Sequence, residues 1–173
     1  MSDGASTTQG LTHLQHNRRG LLGRRVAVSV LALLVAAGAS GWLGVHAETV
    51  HAGSSGYQLT LTYPRVARAG LDVPLEFRLT HAGGFDSDIT IAISSNYYDI
   101  FEYQGMHPNP SDETSDGSFV YLTFSPPKTG DVFTTSLDTY VQPGSQVGRH
   151  AVAEALVHGL VVARVDYSTL LFP

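Results

Sequence analysis

The stretch YQLTLTYPRVARAGLDVPLEFRLT, residues 57–80, decides the fold. In its first half Leu59, Leu61 and Tyr63 alternate with Gln58, Thr60 and Thr62. In its second half Val73, Leu75, Phe77 and Leu79 alternate with Glu76, Arg78 and Thr80. A period of two marks a strand with one face buried and one wet. Pro74 falls near the start of the second run, where a missing N–H is tolerated.

The same period continues downstream. ITIAISS, residues 89–95, gives a strand through Ile89, Ile91 and Ile93; SFVYLTF (118–124) and DVFTTSLDTYV (131–141) give two more, separated by the turn PPKTG. RHAVAEALV (149–157) is alanine-rich enough to read as helix by propensity. Its His158-Gly159 connection to the β-branched run LVVARVDYSTLLF makes a hairpin the better reading. Seven or eight strands in roughly 115 residues predict an all-β antiparallel sandwich over residues 57–173.

The order RVARAGLDVPLEFRLTHAGGF…ITIAIS resembles the opening of bacterial immunoglobulin-like sandwich domains, and DTYVQPGSQVGRHAVAEALVHGLVVARVDYSTLL resembles their closing hairpin. The resemblance spans residues 57–172. It implies an immunoglobulin-like sandwich in an extracytoplasmic setting and transfers no catalytic residue. The chain lacks the cysteine pair and the core tryptophan of antibody-type domains, because Trp42 stands in an apolar segment upstream.

That segment, VAVSVLALLVAAGASGWLGV, residues 26–45, has no charge and no proline. Twenty apolar residues match the roughly 30 Å hydrocarbon core of a bilayer. Arg18, Arg19, Arg24 and Arg25 precede it, which puts the N-terminus in the cytoplasm by the positive-inside rule. The alternative is an export signal: VHA at 45–47 permits cleavage after Ala47, and NRRGLLG at 17–23 resembles a twin-arginine motif. The apolar run exceeds the usual 7–15-residue signal core, which favours an anchor. Residues 1–25 are expected to be a largely disordered cytoplasmic tail and 46–56 a flexible spacer. The implied location is the bacterial cytoplasmic membrane, single-pass, with the C-terminal domain outside. The nine arginines against one lysine point to a GC-rich bacterial genome.

Charge and composition exclude several functions. Residues 48–173 hold six basic and fourteen acidic residues, a net charge of −8 that repels nucleic acid. With no cysteine there is no disulfide framework, thiolate metal site or cysteine nucleophile. No G-x-S-x-G elbow is present. His150 and Glu154 share a strand face, but as a surface ion pair at most.

Two segments are candidates for function. GMHPNPSDETSDG, residues 105–117, gathers His107, Asp112, Glu113 and Asp116, yet its spacing fits neither a calcium loop nor a zinc motif. It reads first as a solvated turn between strands and second as a contact surface. NYYDIFEYQGM, residues 96–106, carries Tyr97, Tyr98, Phe101 and Tyr103, more aromatic surface than one buried face requires. The competing reading has some of them plugging the open end of the sandwich. The candidate binding surface is therefore Tyr97, Tyr98, Phe101, Tyr103, His107, Asp112, Glu113 and Asp116. No cofactor is expected. The function so implied is a non-enzymatic accessory module docking another membrane or envelope protein, with envelope carbohydrate or cation binding, in a form exported and cleaved after Ala47, as the alternative and an exported hydrolase as the third reading.

Overall fold

The computed structural model describes residues 18–41, 44–144 and 147–172. They fall into two units, one up to Leu43 and one from Gly44 onward. Among its described residues the first holds one helix, α1 (Arg18–Ala39). Its window Gly20–Ala39 is apolar and long enough to cross a membrane, and none of it is buried. By length and composition a membrane span and an export signal both fit it. The helix stops six residues short of the expected end at 45. Ser40 returns its N–H to the Ala36 carbonyl and its hydroxyl to Ala37, and Gly41 takes φ +74° with its N–H on Gly38. That is a glycine C-cap. Gly41 and Gly44 therefore stand outside the helix. Trp42 and most of the expected cytoplasmic tail lie outside the described residues.

The second unit is strand-built. Residues 46–56, expected as a spacer, instead form β1 (His46–Ser54) and a two-residue turn into β2 (Tyr57–Arg68). Ser55 and Gly56 both adopt positive φ, the geometry of a tight hairpin turn, and nine residue pairs follow from Ser54↔Tyr57 to His46↔Val66. Side chains reinforce the ladder: Thr49 meets Thr62, His51 meets Thr60, and Glu48 takes both the Arg65 guanidinium and the Tyr63 hydroxyl.

The chain continues through β3 (Asp72–His81), β4 (Ile89–Ser94), the 3-10 turn Ser95–Tyr97, β5 (Phe101–His107), β6 (Asp112–Ser115), β7 (Phe119–Phe124), β8 (Val132–Val141), β9 (Arg149–Val157) and β10 (Leu160–Phe172). Among the described residues there are thus ten strands rather than seven or eight. The β9–β10 hairpin turns on His158 and Gly159, both at positive φ. Its alanines 151, 153 and 155 are buried at alternate positions, and β4 sets Ile93 against Ala153 and Ile91 against Ala155, large beside small.

Hydrogen bonding runs in one path, β5-β8-β3-β2-β10-β9-β4-β7-β6, with β1 on β2. All pairings are antiparallel except one: Val66–Arg68 of β2 runs parallel to Leu170–Phe172 of β10. Pairing of β2 with β3 ends at Thr62↔Glu76, so Pro74 has only β8 beside it, and its missing N–H breaks no ladder on the β2 side. Leu59, Leu61 and Phe77 share one core with Ile91, Leu122 and Val165, and Phe124 of β7 meets Phe133 of β8 at 5.2 Å. The expected immunoglobulin-like sandwich is met only as far as a strand-built unit with one core. Pairing is continuous across the β2–β10 seam, so the sheet is a curled half-barrel.

At Gly148 the Thr169 carbonyl and the Leu170 Cα occupy the space a Cβ would need. Gly148→Ala is expected to cost about 1–3 kcal/mol, as overpacking does, and to lower the thermal midpoint. Gly144→Ala, at a position open to solvent, should leave it unchanged. An unaltered melt for Gly148→Ala would show that this backbone does not pack on β10.

Candidate functional site

The two ends of the strand path are β5 and β6, which are consecutive in the chain. Only residues 108–111 join them, a link that spans at most about 18 Å between His107 and Asp112. Among the described residues β5 and β6 thus each leave one edge unpaired, as β1 does beyond β2, and the candidate segment joins these two strands. β5 pairs with β8 and carries a bulge between Tyr103 and Gly105. The extra residue, Gln104, lets both Phe101 and Met106 reach the core although they are five positions apart. The His107–Pro108 bond is cis. β6 pairs with β7 alone, and all four of its residues are exposed.

The aromatic segment divides. Tyr97 is buried, packs on Phe101 and Tyr167 with both ring centroids 4.8 Å away, and bonds the Thr169 hydroxyl at 2.7 Å. Thr169 donates its own hydrogen to the Pro64 carbonyl, so Tyr97 is the donor to Thr169. Burial pushes the Tyr97 phenol well above its ordinary range. Tyr97 and Phe101 are core residues, and replacing Tyr97 removes structure along with any surface. Tyr98 is half-buried and Tyr103 is 46 % exposed. Burial raises both phenols first, and the negative charge of Glu113 raises them further. Tyr98, just past the 3-10 turn, and Tyr103 of β5 thus both sense the charge of Glu113 on β6.

The other candidates do not join them. His107 and Asp112 are exposed on either side of the 108–111 link. Asp116 is a turn-former: its Oδ1 accepts the Ser118 and Phe119 N–H groups, each at 2.8 Å, and its Oδ2 accepts the Tyr121 hydroxyl at 2.8 Å. These donors, led by Phe119, hold its carboxyl below the ordinary range. Gly117 at φ +88° completes the β6–β7 turn. Among the described residues no three His, Asp or Glu side chains gather to hold a metal ion. His150 and Glu154 do share the outer face of β9, and each has a cross-strand partner on β10: His150 faces Asp166 at 3.9 Å and Glu154 takes Arg164 at 2.7 Å.

Several features escape a reading of the sequence. The Tyr167 hydroxyl is buried with no partner among the described residues. Tyr57 stacks on His81 at 3.9 Å, with Phe85 adjoining. A groove of about 310 Å³ lies between Gly83–Phe85 and Pro127–Asp131. Another, of about 330 Å³, lies beside the β5 bulge among Asp72, Pro74, Gln104 and Asp138. The period-two signal of Tyr57 and His81 is present in the sequence, but the stack depends on the register Tyr57↔His81.

No family model matches the chain, and no curated protein is similar to it. Among solved structures, the sixth cohesin of scaffoldin B from Acetivibrio cellulolyticus, in complex with a mutant Cel5 dockerin, is 12 % identical with a TM-score of 0.38, over 62 % of this chain and 93 % of that one. The Pseudomonas fluorescens alkylpurine DNA glycosylase AlkC, bound to DNA with an abasic-site analogue, is 13 % identical with a TM-score of 0.31, over 73 % of this chain and 31 % of that one. Likeness at this level carries neither an activity nor a partner to this chain.

Tyr97→Ala is expected to destabilise the fold by about 3–5 kcal/mol, as for a buried aromatic truncated to alanine, whereas Tyr103→Ala should change stability little; chemical denaturation of the two variants checks the contrast. Asp116 tests the turn through pH. Its folded pKa is depressed, so its contribution is present above the unfolded value and lost as pH falls through the folded one. Protection of the Ser118 and Phe119 amides, taken relative to the intrinsic exchange rate at each pH, should fall over that acidic window. Asp116→Asn should flatten the dependence.

Proposed function

We propose that this chain is a helix-anchored, non-enzymatic binding module. Its β-unit, read as of the immunoglobulin-like kind, stands outside the bacterial cytoplasmic membrane and docks another membrane or envelope protein. The observation that carries the reading is the open edge on each of β5 and β6. β5 and β6 each pair on one side only, leaving unpaired backbone groups of the sort that accept an added strand. Tyr98 and Tyr103, with Glu113 beside them, add an amphipathic aromatic surface of the type enriched at protein interfaces.

The helix supports the rest. Its length and composition suit a membrane span, and the arginines at 18, 19, 24 and 25 favour an N-terminus inside. A module held at the bilayer meets a membrane partner at high effective concentration, so a modest contact suffices. The pairs His150–Asp166 and Arg149–Asp99 are exposed surface pairs of the kind that contribute little, and Arg164 pairs with the half-buried Glu154. Envelope carbohydrate is the other ligand an exposed tyrosine suits.

Placing a photo-crosslinking amino acid at Tyr103, and as a control at Arg164, in the full chain in its native membranes separates these readings. The expected result is one discrete protein adduct from position 103 and none from 164. A folded chain that gives no protein adduct at 103, or the same adducts at both positions, overturns the protein-docking reading, and a glycan adduct would replace it with the carbohydrate one.

A further inference from the structure

The outward face of β10 changes character along its length. Its outward positions Arg164, Asp166 and Ser168 are polar, as a solvated strand face requires. The next two on the same face, Leu170 and Phe172, are large and apolar, yet 52 % and 49 % exposed. The inward neighbour Leu171 is buried, so strand alternation is intact and only the outer chemistry has switched.

Register gathers further apolar side chains at this end. Leu170 lies beside Val66 and Phe172 beside Arg68, and β1 begins there with His46↔Val66, immediately after exposed Val45. The turn from Arg68 to Asp72 brings exposed Leu71. Gly148, packed against Thr169 and Leu170, brings exposed Val147. This is also the end at which the chain arrives from α1. Six residues lie between Ala39 and His46, a tether of at most about 25 Å.

Charges at the rim largely cancel. Arg65 pairs with Glu48 and Arg149 with Asp99. Arg68, beside Phe172, is half-buried, with its Nε buried and unpartnered and no ion-pair partner among the described residues.

We infer that this end of the β-unit is a lipid-facing surface, with Val45, Leu71, Val147, Leu170 and Phe172 seated in the headgroup layer of the bilayer that α1 spans. The inference rests on α1 being a membrane span. A few apolar side chains bind a bilayer only marginally when free, but covalent linkage to an inserted helix makes the contact persistent. The opposite end supplies its own control, since Val132, Leu160 and Val161 are exposed there without any tether.

The chain has no cysteine, so Val147→Cys and Leu160→Cys each give one site for an environment-sensitive fluorophore. The full chain is reconstituted into vesicles of phosphatidylethanolamine and phosphatidylglycerol carrying a headgroup nitroxide, and flotation through alkaline medium is scored first. The expected result is a floating chain whose label at 147 is blue-shifted and quenched while that at 160 is neither. Adding Leu170→Asp and Phe172→Asp should abolish the quenching at 147 without ending flotation. A floating chain with an unquenched 147, or with equal quenching at both ends, overturns the inference and leaves the anchor intact. A chain that does not float overturns both.

Discussion

The hydroxyl of Thr169 is the point on which the β-unit depends. It is buried, donates to the Pro64 carbonyl and accepts from Tyr97, each at 2.7 Å. Pro64 sits between the two partners of β2: pairing with β3 stops at Thr62, and pairing with β10 starts at Val66. Proline has no N–H to continue a ladder, so the strand changes partner there. The threonine bridges the gap with a side chain where the backbone has no bond to offer. Stranding that carbonyl in the core would cost about 1–3 kcal/mol, the penalty for an unmatched buried acceptor.

From this pin the rest follows. Tyr97 is held by it and in turn positions Phe101, the first residue of β5, so the sheet's terminal strand begins where the seam is fixed. The curl is then completed by the short 108–111 link, which forces the last strand, β6, back toward the first. The free edges of β5 and β6 are a product of this route. A chain that must change arms between β5 and β6 leaves neither edge a partner.

How much of this is legible in the sequence depends on burial. Strands with one buried face, such as Leu59/Leu61/Tyr63 or Val73/Leu75/Phe77/Leu79, print a period of two and are found where that period places them. β1 prints none, because only Glu48, Val50 and Ala52 turn inward and they are half-buried. β6 buries nothing, so its four residues carry no pattern. β5 does bury Phe101 and Met106, but the bulge at Gln104 shifts the phase between them and erases the alternation. The helix end is hidden because Gly38-Ala39-Ser40-Gly41 passes for apolar span by hydropathy while it acts as a cap. In the candidate site, the split between core Tyr97 and surface Tyr103 is invisible, since both are tyrosines in one run and only packing separates them. Asp116 is more accessible: Ser115-Asp116-Gly117-Ser118 is a turn signature, which marks a loop without assigning its carboxylate to the backbone.

The strand found where a slack spacer was expected has a mechanical consequence. Because β1 is zipped to β2 along nine pairs, tension arriving along the chain from Ala39 meets a clasp before it reaches the core. If the pull lies along the strand axis, the ladder bears it as shear, with all the bonds loaded together. If it lies across that axis, the same bonds break in succession from His46 inward, at far lower force. The module's hold on whatever it grips therefore depends on the direction in which it is tugged. Peeling β1 would release some nine residues of slack and let the domain ride further out before the core was disturbed.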